Sequence, residues 1–458
     1  MRIELRRSLA PWPGVVVLVG SLAVFCLMDG IWWRGTAGWT AQWTSMALWT
    51  RSLLTYWWPL VVGMGAVYGL RDSRSRTGEL LATTPLPVWR RAALPAGATA
   101  LALASGFALL VLVGGVQVAL GATTYTPLGW LPISLVAALA LVAGAVFGMG
   151  VARALPSVLT PPALVVLLLL LTALLQPGND GALPSSNGPN RLGLLSPVTA
   201  EPREMLLTLS GSVDLGQTLW LLGLLATGFA LLSAATRRAR LLAVAPVLVG
   251  AALALLILPA APRDTYVVDK AAAALVCDGP VCVTQADRSR LPELAPSGKA
   301  ALLLLHNVLG DRAPTSVREE TALRAVADDR RLSAGVVLVD FDDPLIAQAT
   351  GAELTRFLVA QGLAPNCQPR TPWEDGGVQD VALQSITASW ALGDHRLVPL
   401  QNPDTDVYVQ SVWANAEAVW QQLTALPPAE QRSRIAQAHA AALSCDDSLA
   451  ALTGEASR

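Results

Sequence analysis

The chain has 458 residues, 53% of them hydrophobic and only 14% charged, with a formal net charge of −1. Soluble domains carry about 25% charged residues, so this composition excludes an ordinary soluble enzyme or a nucleic-acid-binding protein and points to a membrane protein. The charge is unevenly spread: through Pro262 there are 16 basic and 8 acidic residues, and after it 16 basic and 25 acidic. A basic membrane half and an acidic half imply two domains, residues 1–260 and 261–458.

In chain order, residues 11–28 form the first apolar run, preceded by Arg2, Arg6 and Arg7. No small-x-small cleavage site follows it, so an uncleaved span is expected, with Cys26 a buried free thiol. Residues 53–70 give a second span. The loop before it is crowded with Trp32, Trp33, Trp39, Trp43 and Trp49, which suggests an interfacial tryptophan belt on the outer surface, an aromatic binding cage being the alternative. Further spans follow at 92–120, 130–151, 158–176, 219–235 and 242–258, each long enough to cross about 30 Å of hydrocarbon. The stretch 177–217 reads as a polar outer loop.

Arginine sets the orientation. Twelve arginines fall in the predicted inner segments (Arg2, Arg6, Arg7, Arg71, Arg74, Arg76, Arg90, Arg91, Arg153, Arg237, Arg238 and Arg240), against Arg34, Arg51, Arg191 and Arg203 outside. The positive-inside rule then puts the amino terminus in the cytoplasm and, after seven crossings of the plasma membrane, the second domain outside. No Asp, Glu, Lys, Arg or His lies in the apolar interior of these runs, Asp29 being at an edge. Ion-coupled transporters and intramembrane enzymes need such groups at depth. The chain also lacks a G-x-x-x-x-G-K-[ST] phosphate loop, since Gly298-Lys299 continues into Ala300. Any ATP-driven work must therefore come from another chain.

The segment 71–91, RDSRSRTGELLATTPLPVWRR, is the sizeable polar stretch between the second and third spans. It reads either as an ordinary basic cytoplasmic loop or as an elbow on which a motor protein pushes. Its Thr77-Gly78-Glu79-Leu80-Leu81, Thr84-Pro85-Leu86-Pro87 and Trp89-Arg90-Arg91 resemble the segment between the second and third spans of type 2 ABC exporter permeases, a resemblance that covers residues 1–240. The resemblance implies an amphipathic coupling helix over 77–84: Gly78 and Glu79 start and orient it, Leu80 and Leu81 dock into the ATP-binding subunit, and Pro85 ends it. It also implies a second permease half, as homo- or heterodimer, and a re-entrant hairpin in the place of 177–217. ATP and magnesium would be bound by the partner subunit, leaving no cofactor in this chain. A seventh span and a large second domain depart from the family pattern.

The second domain is expected to be mixed α/β, with β-like runs at 265–268, 281–284, 335–341 and 378–390 and helical stretches at 315–328, 344–361, 407–426 and 429–444. Its four cysteines, Cys277, Cys282, Cys367 and Cys445, suggest two disulfides. Three pairings are possible, with Cys277–Cys282 and Cys367–Cys445 favoured, and a zinc site is the alternative. His306, His395 and His439 form no H-E-x-x-H motif, and Asp340, Asp342 and Asp343 read as a solvated strand end or a cation site. The spacing of Cys277 and Cys282 is similar to external domains on actinobacterial membrane proteins. The chain is thus expected to be an α-helical polytopic membrane domain of about seven transmembrane helices plus a mixed α/β extracytoplasmic domain. Its expected role is the non-enzymatic membrane subunit of an ABC exporter for a lipid-like, amphipathic or peptide substrate. A membrane-anchored receptor acting through the outer domain is the alternative.

Overall fold

The computed structural model describes residues 11–33, 37–71, 87–121, 125–176, 178–180, 183–185, 188–199, 205–321, 332–341, 343–366, 377–402, 407–446 and 448–454. The chain divides into two compact units: residues 1–122 with 126–268, and 269–458 with 123–125.

The first unit is helical. Its long helices are α1 (Trp12–Leu27), α2 (Trp43–Ser52), α3 (Leu54–Gly69), α4 (Val88–Leu120), α5 (Trp130–Ala154), α6 (Thr160–Leu174), α7 (Gly211–Ser233) and α8 (Ala245–Ile257). Among the described residues four segments are long and apolar enough to cross a membrane: α4, α5, α7 and the run Arg237–Ile257 that ends in α8; α1 and α6 are shorter apolar helices. Short antiparallel pairs join β1 (Gly178–Asp180) to β2 (Leu183–Ser185), and β3 (Leu207–Leu209) to β4 (Tyr266–Val268).

Helix α5 is the hub, packing against α2, α3, α4, α6 and α7. Small residues make this possible. A Cβ on Gly148 of α5 would lie 2.1 Å from the Val62 carbonyl oxygen of α3, and one on Gly65 would lie 2.2 Å from the Ala145 carbonyl oxygen. The α1–α4 crossing rests in the same way on Gly14 and Gly106, the α5–α7 crossing on Gly150 and Gly228, and the α7–α8 crossing on Gly223 and Gly250. Close backbone approach through small residues is the usual source of helix association in lipid, where apolar tails compete with apolar side chains.

Of the tryptophans expected to form a belt, Trp39 and Trp49 are buried, while Trp33 is exposed. Residues 43–52 form α2, buried over Thr44–Arg51, and Trp39 and Trp49 are buried with Phe25, Met46, Leu53 and Val118. Phe25 stacks on Trp39 at 4.5 Å, and Trp49 Nε1 donates to the Ala37 carbonyl at 2.8 Å. Cys26 is free as expected but exposed, because the buried side of α1 falls on Val17, Ser21 and Phe25.

The second unit has one four-stranded sheet in the order β5 (Leu275–Asp278), β6 (Val281–Thr284), β7 (Ser316–Glu319), β8 (Val336–Val339). The β5–β6 hairpin is antiparallel, and β6, β7 and β8 run parallel. Gly279 turns the hairpin at φ 63°, a left-handed value that costs glycine little. Helix α9 (Leu291–Leu309) makes the crossover from β6 to β7 that a parallel pair requires. Helices α10 (Gly351–Leu363), α11 (Val378–Leu392), α12 (Val407–Ala425) and α13 (Pro428–Leu443) complete the unit. Its core gathers Val281, Leu305, Val317, Val337, Phe357, Ile386, Trp413, Trp420 and Ile435.

Two expected elements are of the opposite kind. Residues 316–319, expected as helix, are strand β7, because Val317 and Glu319 point inward between two parallel neighbours. The β-like run 378–390 is helix α11, buried on nearly every side, so its apolar pattern carries no helical stripe. Its buried hydroxyls turn back to the backbone, Ser385 Oγ donating to the Val381 carbonyl at 2.7 Å. Gly393 at φ 74° closes the helix.

Candidate functional site

The expected coupling residues Gly78, Glu79, Leu80, Leu81 and Pro85 lie outside the described residues, and their flanks are described. Helix α3 ends at Gly69 with Arg71 just beyond it, and α4 starts after Pro87, whose φ of −63° and ψ of 143° give an extended entry. The Arg71 guanidinium lies 6.0 Å from the Tyr68 ring centre, and that of Arg90 5.1 Å from the Trp89 ring. Both helices bordering the segment pack on α5.

The end of the unit where α7 begins holds a buried polar cluster that the sequence reading did not foresee. Helix α7 starts at Gly211, two turns before the expected span at 219, which puts Asp214 and Gln217 on the helix. Arg51, expected on an outer loop, is fully buried. Its Nη1 donates to Asp214 Oδ1 at 3.3 Å, its Nε to the Pro197 carbonyl at 3.1 Å, and its Nη2 to Gln217 Oε1. The amide of Gln217 donates in turn to the carbonyls of Leu194 at 2.8 Å and Ser196 at 2.9 Å. A buried cation survives only with such a complete set of partners. The cluster ties α2, the 194–197 turn and α7 together.

In the second unit Cys277 and Cys282 are disulfide-bonded across the β5–β6 hairpin, as register partners. Cys445 is also disulfide-bonded, while Cys367 lies outside the described residues. Lys299 Nζ donates to Asp278 Oδ2 at 2.9 Å beside the hairpin turn.

At the carboxyl ends of β6 and β7 sits a buried carboxyl pair. Glu319 Oε2 accepts from the Thr284 amide at 2.6 Å, and its Oε1 accepts from Thr284 Oγ1 at 2.9 Å. Asp287, buried alongside, donates its amide to Thr284 Oγ1 at 3.3 Å. Burial and then the Asp287 charge push the Glu319 carboxyl up to about 9. Burial also raises Asp287, opposed by the hydrogen bond from Glu319 and by Arg290. Burial thus disfavours ionisation of both carboxyls at once. The Arg290 guanidinium lies 4.2 Å from the Phe341 ring centre. Carboxyl ends of parallel strands are where open α/β sheets place ligands, and here the arrangement is built to hold a proton.

The remaining candidates serve the fold. Asp343 caps the turn Pro344–Ala347, accepting from the Leu345 amide at 2.9 Å, and Asp342 lies outside the described residues. Among the described residues no group of three or more His, Cys, Asp or Glu side chains is arranged to hold a metal. His306 and His395 are exposed. His439 is buried, and that burial lowers its basicity; its Nδ1 lies 3.1 Å from the Leu363 carbonyl. Comparison of the chain with protein-family models, curated proteins and solved structures finds no match.

Proposed function

We propose that this chain is the membrane subunit of an ATP-driven exporter, with seven crossings, a cytoplasmic amino terminus and an outer second unit. One observation carries the reading: the basic, proline-ended segment 71–91 links the end of α3 to the start of α4, and both helices pack on the hub α5. A push on 77–84 by an ATP-binding partner would reach the centre of the bundle through two helices at once. In this reading the partner supplies ATP and magnesium, Leu80 and Leu81 seat in its groove, and a second permease completes the transporter. Glycine-lined crossings suit such a role, since helices without interlocking bulky side chains slide with small repacking. The second unit would receive or select a lipid-like, amphipathic or peptide cargo.

The test is capture of the full chain from its native membranes in mild detergent, with mass spectrometry of co-purifying proteins. Recovery of a soluble ATP-binding subunit by the wild type and its loss from the Leu80→Asp/Leu81→Asp variant is the expected outcome. Absence of that subunit, or its equal recovery with the variant, overturns the reading and favours a receptor acting through the second unit.

A further inference from the structure

Between α7 and α8 the chain forms a separate six-residue helix, Arg237–Leu242, that has no buried residue. Isolated helices this short are marginal in water, and packing of an apolar face is what normally holds them. Two bonds fix it from within the chain. Thr236 Oγ1 accepts from the Ala239 amide at 3.2 Å, and Arg240 Nη1 donates to the Ala154 carbonyl at the end of α5, also at 3.2 Å. The rest of the helix faces outward. Arg237 and Arg238 are exposed, and neither guanidinium has a hydrogen-bond or ion-pair partner among the described residues. Leu241 and Leu242 follow one turn later on the same two rows, at 76% and 74% exposure. The outward apolar surface continues through Leu248, Val249 and Leu256 of α8. The surroundings carry one sign of charge. Ala92 at the start of α4, Met149 near the end of α5 and Leu232 near the end of α7 pack together, so these helix ends share one end of the unit. Residues 87–96, 149–163 and 228–249 contain no Asp or Glu. Arg90 stands exposed at the start of α4, its guanidinium 5.1 Å from the Trp89 ring centre.

We propose that the helix Arg237–Leu242 lies in the headgroup layer of the bilayer and that Arg237 and Arg238 bind the phosphate of an anionic phospholipid. The order of residues along the helix carries the assignment. The charged turn comes first, the apolar turn second, and the run Arg237–Ile257 as a whole is long and apolar enough to cross a membrane. Leu241 and Leu242 therefore sit on the acyl side of the arginines, and the guanidinium forks stand at the depth of the phosphates, whose oxygens they fit. Basic clusters beside a spanning helix are drawn to anionic lipid, and no carboxylate in the neighbouring described segments competes for them. A soluble anion would leave the two leucines in water, and a zwitterionic lipid would leave two guanidinium groups without a net counter-charge. The proposal rests on the membrane character of the first unit and not on the exporter reading, because no ATP-binding partner enters it.

The test is native mass spectrometry of the full chain, delipidated in detergent and titrated with phosphatidylglycerol or with phosphatidylcholine of the same acyl chains. The first phosphatidylglycerol is expected to bind about thirtyfold more tightly than phosphatidylcholine, the scale of two arginines at an anionic surface. Arg237→Gln/Arg238→Gln, at exposed positions that bond to nothing described in the fold, should bring the two lipids to within about threefold of each other. Arg263→Gln, which removes an exposed arginine beyond the far end of α8, should leave the preference intact. Excess glycerol phosphate should leave the adduct in place, because it lacks the chains that Leu241 and Leu242 hold. Equal binding of the two lipids by the wild type overturns the proposal, and so does a preference that survives in the double variant. An equal loss in Arg263→Gln would reduce the effect to net charge, and displacement by glycerol phosphate would make the ligand a soluble anion; either result also overturns it.

Discussion

The two units hold together by opposite means. In the first, backbones meet at glycine, and large apolar side chains turn outward: Leu27, Leu120, Leu174 and Leu256 are 75–83% exposed. In the second, Trp413, Trp420, Phe357 and Leu305 are packed inside, and the large apolar side chains exposed among its described residues are Leu275, Leu303, Val407 and Tyr408. The difference follows from the solvent. Water drives apolar surface together, so the second unit gains by hiding its largest side chains. Lipid tails do not, so the first unit gains by close fit instead.

Substitutions at glycine should break this comparison most sharply. Gly148→Leu drives a side chain into the Val62 backbone, and no monodisperse folded protein is expected by fluorescence-detected size-exclusion chromatography. Gly298→Ala in the second unit meets first the side chains of Val281, at 2.8 Å, and Val317, at 3.5 Å. Rotamer adjustment should limit its cost to about 1–3 kcal/mol. Similar behaviour of the two variants would remove the distinction.

The buried polar cluster is the exception within the first unit, and Arg51→Met should cost about 3–5 kcal/mol because Asp214 and Gln217 are left unpaired. Thermal unfolding in detergent should show a lowered midpoint, partly restored by adding Asp214→Leu. An unchanged midpoint for Arg51→Met would show that the ion pair contributes nothing.

A graded, pH-dependent effect concerns the carboxyl pair of the second unit. The folded state raises Glu319 from 4.5 to about 9, so it binds the proton more tightly than the unfolded chain does. Its contribution is therefore fully favourable below pH 4.5 and is lost as pH rises toward 9, by an amount on the order of a few kcal/mol. Amide exchange across β6 and β7, corrected for intrinsic rates, should show protection falling over this window. Glu319→Gln should flatten the profile; an unaltered slope would place the titration elsewhere.

Much of this architecture was legible because lipid-facing helices are long and uniformly apolar. Each run expected as a span coincides with a helix of the first unit, and among the described residues four segments are long and apolar enough to cross a membrane. Strand β6 and helices α12 and α13 also stand within the runs expected at 281–284, 407–426 and 429–444, the last begun by proline and Glu430. Legibility failed where tertiary partners decide. Nothing local marks Arg51 as buried, because its partners Asp214 and Gln217 stand more than 160 residues away. Helix α9 carries a local signal of its own: Pro292 and Glu293 at its start and an inward face of Leu294, Ala301 and Leu305. Strand β7 had helix-forming neighbours and is extended only because β6 and β8 pair with it, an override to which strand propensity is prone. The carboxyl pair was likewise invisible, since Asp287 and Glu319 meet only once the sheet has formed.

The β3–β4 ladder has a mechanical consequence. Strand β3 leads into α7, and β4 follows α8, so the two strands zip together the open end of the α7–α8 hairpin, with the Ser210 amide donating to the Thr265 carbonyl at 3.0 Å as a further rung. Asp269 follows β4 directly. Tension drawn through the chain from that point runs along β4, loading its bonds to β3 in shear, where several rungs resist together, rather than peeling them singly. The load is divided between two helices, one of which, α7, is seated on the hub.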